Sequence, residues 1–74
     1  YKNPGFYGIW MKDTWIPLDV IWIDENKKIV DKKTLLPNTE IINYPKSKSK
    51  YILEVNGNTF DGEIGDSISL EDLL

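Results

Sequence analysis

Between Pro17 and Asp24 the chain reads Leu-Asp-Val-Ile-Trp-Ile, apolar at every position but one and on both faces that a strand presents. β-Branched and aromatic side chains suit a pleated, buried surface. A short apolar run that does not alternate is the pattern of a central strand covered on both sides. Pro17 cannot donate to a central ladder and so marks the strand's start. Asp24-Glu25-Asn26-Lys27 is a turn signal that ends it. A chain of 74 residues has little material with which to cover two faces. Domains of this size bury only about 60% of the surface their unfolded chains expose, so the strand belongs in the middle of a thin core.

The flanking segments supply its neighbours. Residues 6–12 are aromatic and β-branched and predict a strand, with Gly8 as a bulge or a point of close approach. Residues 13–17 turn the chain. Residues 28–36 predict the second arm of a hairpin with the Leu18–Ile23 strand. Residues 37–50 lack periodicity and hold Pro37, Asn38, Asn43 and Pro45, which predicts irregular chain with a short strand at 40–43. Residues 51–55 predict a strand closed by the Asn56-Gly57-Asn58 turn. Asp61-Gly62 and Gly65-Asp66 flank a tight connection into a strand at 67–70, and Ser69 with Asp72 is placed to cap one helical turn. The expected architecture is all-β: a single domain over residues 1–74, a small barrel or barrel-like sandwich of five or six short, mostly antiparallel strands with at most one short helical turn.

Composition removes several function classes. Without cysteine there is no disulfide framework and no thiolate metal site, and without histidine the commonest general base and metal ligand is missing. No metal or other cofactor is expected. No apolar run approaches the roughly 20 residues that span a bilayer as a helix. The chain shows no signal-peptide pattern and begins at Tyr1, not Met, which fits a fragment of a longer precursor. The net charge of −3 is unevenly spread: residues 27–50 hold seven lysines against Asp31 and Glu40, and residues 51–74 hold six acids and no base. The acidic block repels a polyanion and no arginine offers a bidentate phosphate contact, so nucleic acid is not expected as a partner. A small ligand or another protein is. The basic block reads either as solvated surface or as a site of self-association or of docking by an acidic partner, and the chain as a monomer or a weak homo-oligomer.

Trp10-Met11-Lys12-Asp13-Thr14, followed by Ile16-Pro17-Leu18-Asp19 and an apolar strand ending at Asp24, resembles the signature of DUF192, a widespread bacterial and archaeal family of unknown function. Tyr44-Pro45, the Tyr51-Ile52-Leu53-Glu54-Val55 run and Gly65-Asp66 match in order, so the resemblance covers nearly the whole chain. Two features depart from the family pattern. An N-terminal Arg-Gly-Leu-Met-type segment is missing, and the stretch before Gly65-Asp66 is shortened to residues 56–64. The resemblance implies a compact, β-rich, barrel-like domain, often in exported or membrane-anchored proteins. An extracytoplasmic location is therefore expected over a cytoplasmic one. It implies no established activity.

Strand alternation sends Trp10 and Lys12 to one side and Ile9 and Met11 to the other, and puts Asp19 on the face of Ile21 and Ile23. A carboxylate beside a core needs a partner. Lys12 and the N–H groups of residues 13–16 are the nearest on offer. One reading makes Trp10, Lys12, Thr14, Trp15, Asp19 and Tyr44 a binding surface, aromatic faces beside polar anchors. The other has Asp19 and Thr14 satisfying the 13–17 turn, with Trp10 as core. Trp15, at the tip of a connection, suits a contact surface unless it folds back over the core.

Enzyme templates fit poorly. Ser47-Lys48-Ser49-Lys50 has Ser-x-x-Lys spacing without the helix and partner motifs that spacing needs. Asp24-Glu25-Asn26 starts like a calcium loop, but Lys28 stands at the third ligand position and the required glycine is missing. No spacing among Asp13, Asp19 and Asp24 favours a glycosidase pair. The expected function is a non-catalytic ligand-binding or accessory module for a glycan, a peptide or another small polar ligand. The alternatives are a small hydrolase or lyase using Asp19 and Lys12 as an acid–base pair, and a purely structural domain that self-associates.

Overall fold

In the computed structural model, which describes residues 1–69, the run after Pro17 is strand β2 (Leu18–Ile23). It lies in the middle of a three-stranded antiparallel sheet, between β3 (Ile29–Leu35) and β5 (Tyr51–Asn56). Every residue of β2 after Leu18 is buried. Side chains alternate about the strand, so its two faces feed two separate clusters. Val20 and Trp22 pack with Met11 and Leu35, bordered by Ile9, Leu18, Val30 and Ile52. Ile21 and Ile23 pack with Ile29, bordered by Tyr51, Leu53, Val55, Phe60 and Ile68. The expectation of a strand covered on both sides holds.

The β2–β3 hairpin closes through Asp24, whose Oδ1 accepts the N–H groups of Asn26 and Lys28 at 2.9 and 3.0 Å. Lys27 takes the left-handed conformation that completes the turn (φ 63°). The ladder register then slips between Trp22 and Ile23. Val30 is the extra residue of this bulge, with no partner in β2; it borders the first cluster, and Ile29 packs in the second.

The remaining two strands are minimal. β1 (Ile9–Trp10) and β4 (Ile42–Asn43) form a separate antiparallel ribbon, pairing Ile9 with Asn43 and Trp10 with Ile42. The strand expected over 6–12 is cut to two residues at both ends. Upstream, the Tyr7 carbonyl accepts the Trp22 indole N–H at 2.8 Å; downstream, the Thr14 N–H bonds the Met11 carbonyl around a left-handed Asp13. Of the strand expected over 67–70, the described residues 67–69 show one bridge, Lys28 to Ser67, and Leu70 lies outside them. The helical turn proposed to run to Asp72 lies outside the described residues. Among those residues there are five strands, all antiparallel, and no helix.

The ribbon closes over the first cluster through Ile9 and Met11. It is tied to β3 by the Lys33 ammonium on the Tyr44 carbonyl (2.7 Å) and by the Asp31 carboxylate, which accepts the Lys46 N–H (3.0 Å). No ladder joins β1 to β5, so the barrel-like sandwich stays unclosed at that seam.

Candidate functional site

Asp19 is the charged residue of the β2 core run, and it is 6% exposed. The β2–β3 register sets Thr34 opposite it, and the Thr34 hydroxyl donates to Oδ1 at 2.7 Å. The β2–β5 register sets Val55 opposite it on the other side, so the chain leaving β5 turns directly above the carboxylate. Three successive N–H groups of that turn then point inward: Asn58 to Oδ1 (2.8 Å), Thr59 to Oδ2 (2.9 Å) and Phe60 to Oδ2 (2.9 Å). An ionised carboxylate offers about four acceptor sites, and these four donors use them. The Thr34 hydroxyl, followed by the Phe60 amide, holds the carboxyl down at about 2, below the ordinary 3.8. Burial works against them, and the Asn58 and Thr59 amides add to the lowering.

This corrects the expected partners of Asp19. Neither Lys12 nor the N–H groups of residues 13–16 bind it; the turn it satisfies is the one at 56–60. That turn is fixed further by a left-handed Asn58, by Gly57 N–H on the Pro17 carbonyl (3.0 Å) and by the Thr59 hydroxyl on the Asn56 carbonyl. Gly57 lies so close to Pro17 that a Cβ there would come within 2.9 Å of the proline ring.

Beside Asp19 is an open pocket of about 150 Å³ lined by Ile21, Lys32, Lys33, Thr34 and Phe60. Its polar groups are already engaged. The Lys32 ammonium donates to the Gly62 carbonyl (2.7 Å) and pairs with Glu63 (3.2 Å), while Lys33 reaches Tyr44.

The other expected site residues lie on the β1–β4 ribbon and the connection after it. Trp10 is 53% exposed, which corrects its reading as core. Ile9 and Met11 take the inward positions, and Trp10 faces out opposite Ile42. Tyr44, 54% exposed, lies with Ile42 over Gly8, where a Cβ would come within 2.7 Å of both side chains. The result is a strip of Trp10, Ile42 and Tyr44 with glycine as its floor. The Lys12 ammonium sits 5.2 Å from the Trp10 ring centroid, within cation–π range. Trp15, 78% exposed, does not fold back over the core, and Ile16 beside it is exposed too. Thr14 is held by its backbone, which donates to Met11 and accepts from Asn38 (3.0 Å). Four of the six expected residues (Trp10, Lys12, Trp15 and Tyr44) are therefore surface groups of the ribbon and its connection, while Asp19 belongs to a different face.

Three contributors escaped the sequence reading. Thr34 carries no motif and is found only through register. Ile42 was visible as part of a short strand but not as the cross-strand neighbour of Trp10. Asp31 is a second buried carboxylate, accepting the Lys32 N–H (2.9 Å) and the Lys46 N–H. Its alternation with Val30 and Lys32 gave no hint of this.

Among the described residues no helix is long and apolar enough to cross a membrane. No curated protein and no solved structure matches the chain. The profile of a family described as an uncharacterised ACR, DUF192, matches residues 1–70, and the chain belongs to that family.

Proposed function

We propose that the protein is a non-catalytic binding module whose contact surface is the Trp10–Ile42–Tyr44 strip, flanked by Lys12 and Trp15. The observation that carries this is the outward placement of Trp10. A chain short of apolar material leaves two of its three tryptophans in solvent while burying the third completely. Exposed aromatic and aliphatic side chains in one strip mark interaction surfaces on small proteins. Isoleucine beside tryptophan and tyrosine suits the apolar side chains of a peptide better than the ring faces of a sugar. Asp19, with both oxygens occupied, lends no support to an acid–base pair with Lys12.

A thermal-shift screen of blocked apolar hexapeptides and of oligosaccharides, followed by NMR titration of the hits, tests this reading. The Trp10 indole signal should move with the peptides, and Trp10→Ala should weaken binding by about tenfold. Binding that leaves that signal in place, or a response to sugars alone, would redirect the assignment. Sedimentation showing salt-dependent dimers would favour self-association through the charged blocks instead.

A further inference from the structure

The two edge strands of the main sheet are treated differently. β3 is covered at its start, where the Ile29 N–H bonds the Asp66 carbonyl, the Gly65 N–H bonds the Ile29 carbonyl and Lys28 bridges to Ser67, and further along it carries Lys32 and Lys33. β5 pairs with β2 on one side, and among the described residues no strand covers its other side. Only its threshold is approached, where Gly5 bridges antiparallel to Ser49 and the Tyr1 ammonium donates to the Lys50 carbonyl (2.9 Å). Beyond that point the Tyr-Ile-Leu-Glu-Val-Asn edge runs six residues with no proline and no lysine, the usual devices that blunt an edge.

The bare edge borders a groove. Where β1 and β5 fail to join, a space of about 360 Å³ is lined by Tyr1, Ile9, Tyr51, Ile52 and Glu54. Ile9 and Ile52 form an apolar wall over the first core cluster. Glu54 shares the face of Ile52 two residues on, is exposed, and makes no ion pair among the described residues.

We propose that this seam accepts an extended peptide as a fourth strand of the sheet, antiparallel to β5, continuing the sense set by the Gly5–Ser49 bridge. A free row of backbone donors and acceptors calls for another backbone, and the flanking pocket selects alternate side chains. The residue opposite Glu54 falls on the face of the groove and is basic; the residue opposite Ile52 is apolar and meets Ile9. In an antiparallel partner the order from N- to C-terminus is basic, any residue, apolar. The seam is separate from the Trp10 strip and does not depend on its function.

The test is an NMR titration of the protein with two blocked peptides, Thr-Thr-Lys-Thr-Ile-Thr-Thr and its counterpart with Glu for Lys. Amide shifts should concentrate in β5 and around Ile9. The lysine peptide should bind about threefold tighter, in keeping with one exposed charge pair. In Glu54→Lys, an exposed position whose fold the same spectra verify, the preference should invert. Shifts centred on Trp10 and Tyr44, equal binding of the two peptides, or no binding would overturn the proposal. So would hydrogen exchange showing every β5 amide already protected in the free protein.

Discussion

Asp19 and Thr34 face each other across β2 and β3, and the threonine hydroxyl donates to the carboxylate at 2.7 Å. With three amides from residues 58–60, that contact fastens the turn after β5 to the central strand. The carboxylate is a structural knot whose strength depends on its charge.

The folded pKa, about 2, lies below the ordinary 3.8, so the charged form is favoured in the fold. Its contribution is complete above the unfolded value and is lost as pH falls through the folded one. It amounts to about 2 kcal/mol, fading between roughly pH 5 and pH 2. Denaturant melts of the native protein and of Asp19→Asn across that range give the measurement: the native curve should lose more stability on acidification. Equal slopes would show that Asp19 titrates normally.

Removing one donor should be milder than removing the acceptor. Thr34→Val is expected to cost about 1.5–3 kcal/mol, as for a hydrogen bond to a charged group. Asp19→Asn turns amide hydrogens toward a ring of donors and should cost more, about 2–4 kcal/mol. Urea midpoints at neutral pH rank the two, and the reverse order would contradict the geometry.

Trp22 is fully buried and its indole N–H is spent on the Tyr7 carbonyl. Trp22→Phe should cost about 1–2 kcal/mol by stranding that carbonyl. Trp22→Ala should cost about 3–5 kcal/mol, enough to unfold much of a population whose total stability is on the order of 4–11 kcal/mol. Circular dichroism of both variants on heating separates the two outcomes.

Lys27 holds a left-handed backbone that costs a residue with a Cβ about 1 kcal/mol, while its own N–H bonds Asp24 and its carbonyl accepts Ile68. Lys27→Gly keeps those backbone bonds and should raise stability by about 0.5–1 kcal/mol, read as a higher melting temperature. A fall would mean that the lysine side chain supports the turn.

Gly8 is where the strip's shape can be altered without touching its side chains. Gly8→Ala would press a Cβ to within 2.6 Å of the Ile42 Cγ2 and 2.7 Å of the Tyr44 ring. The strip should rearrange at a cost of about 1 kcal/mol, with Tyr44 ring signals displaced in NMR spectra. Unmoved Tyr44 signals would show that the contact is slack.

The fold was legible where physics is local. The six residues of β2 announced a two-faced strand because neither face held a polar row, and the Asp24 turn announced its hairpin. The shortness of β1 was hidden, because it depends on the Tyr7 carbonyl being claimed by an indole far along the chain. Asp19 was recognised as a carboxylate needing a partner, but the partner depends on register and on where the turn after β5 lands. Trp10 and Lys12 were sorted to one side by alternation alone. Whether that side met core or solvent required the position of β4.

β2 is a party wall between two rooms. Neither core cluster has an inner side of its own, so opening one strips cover from the strand that also lines the other. No half can melt and leave its neighbour standing, and the amides of Val20, Ile21 and Trp22 should exchange with solvent only when the entire chain lets go.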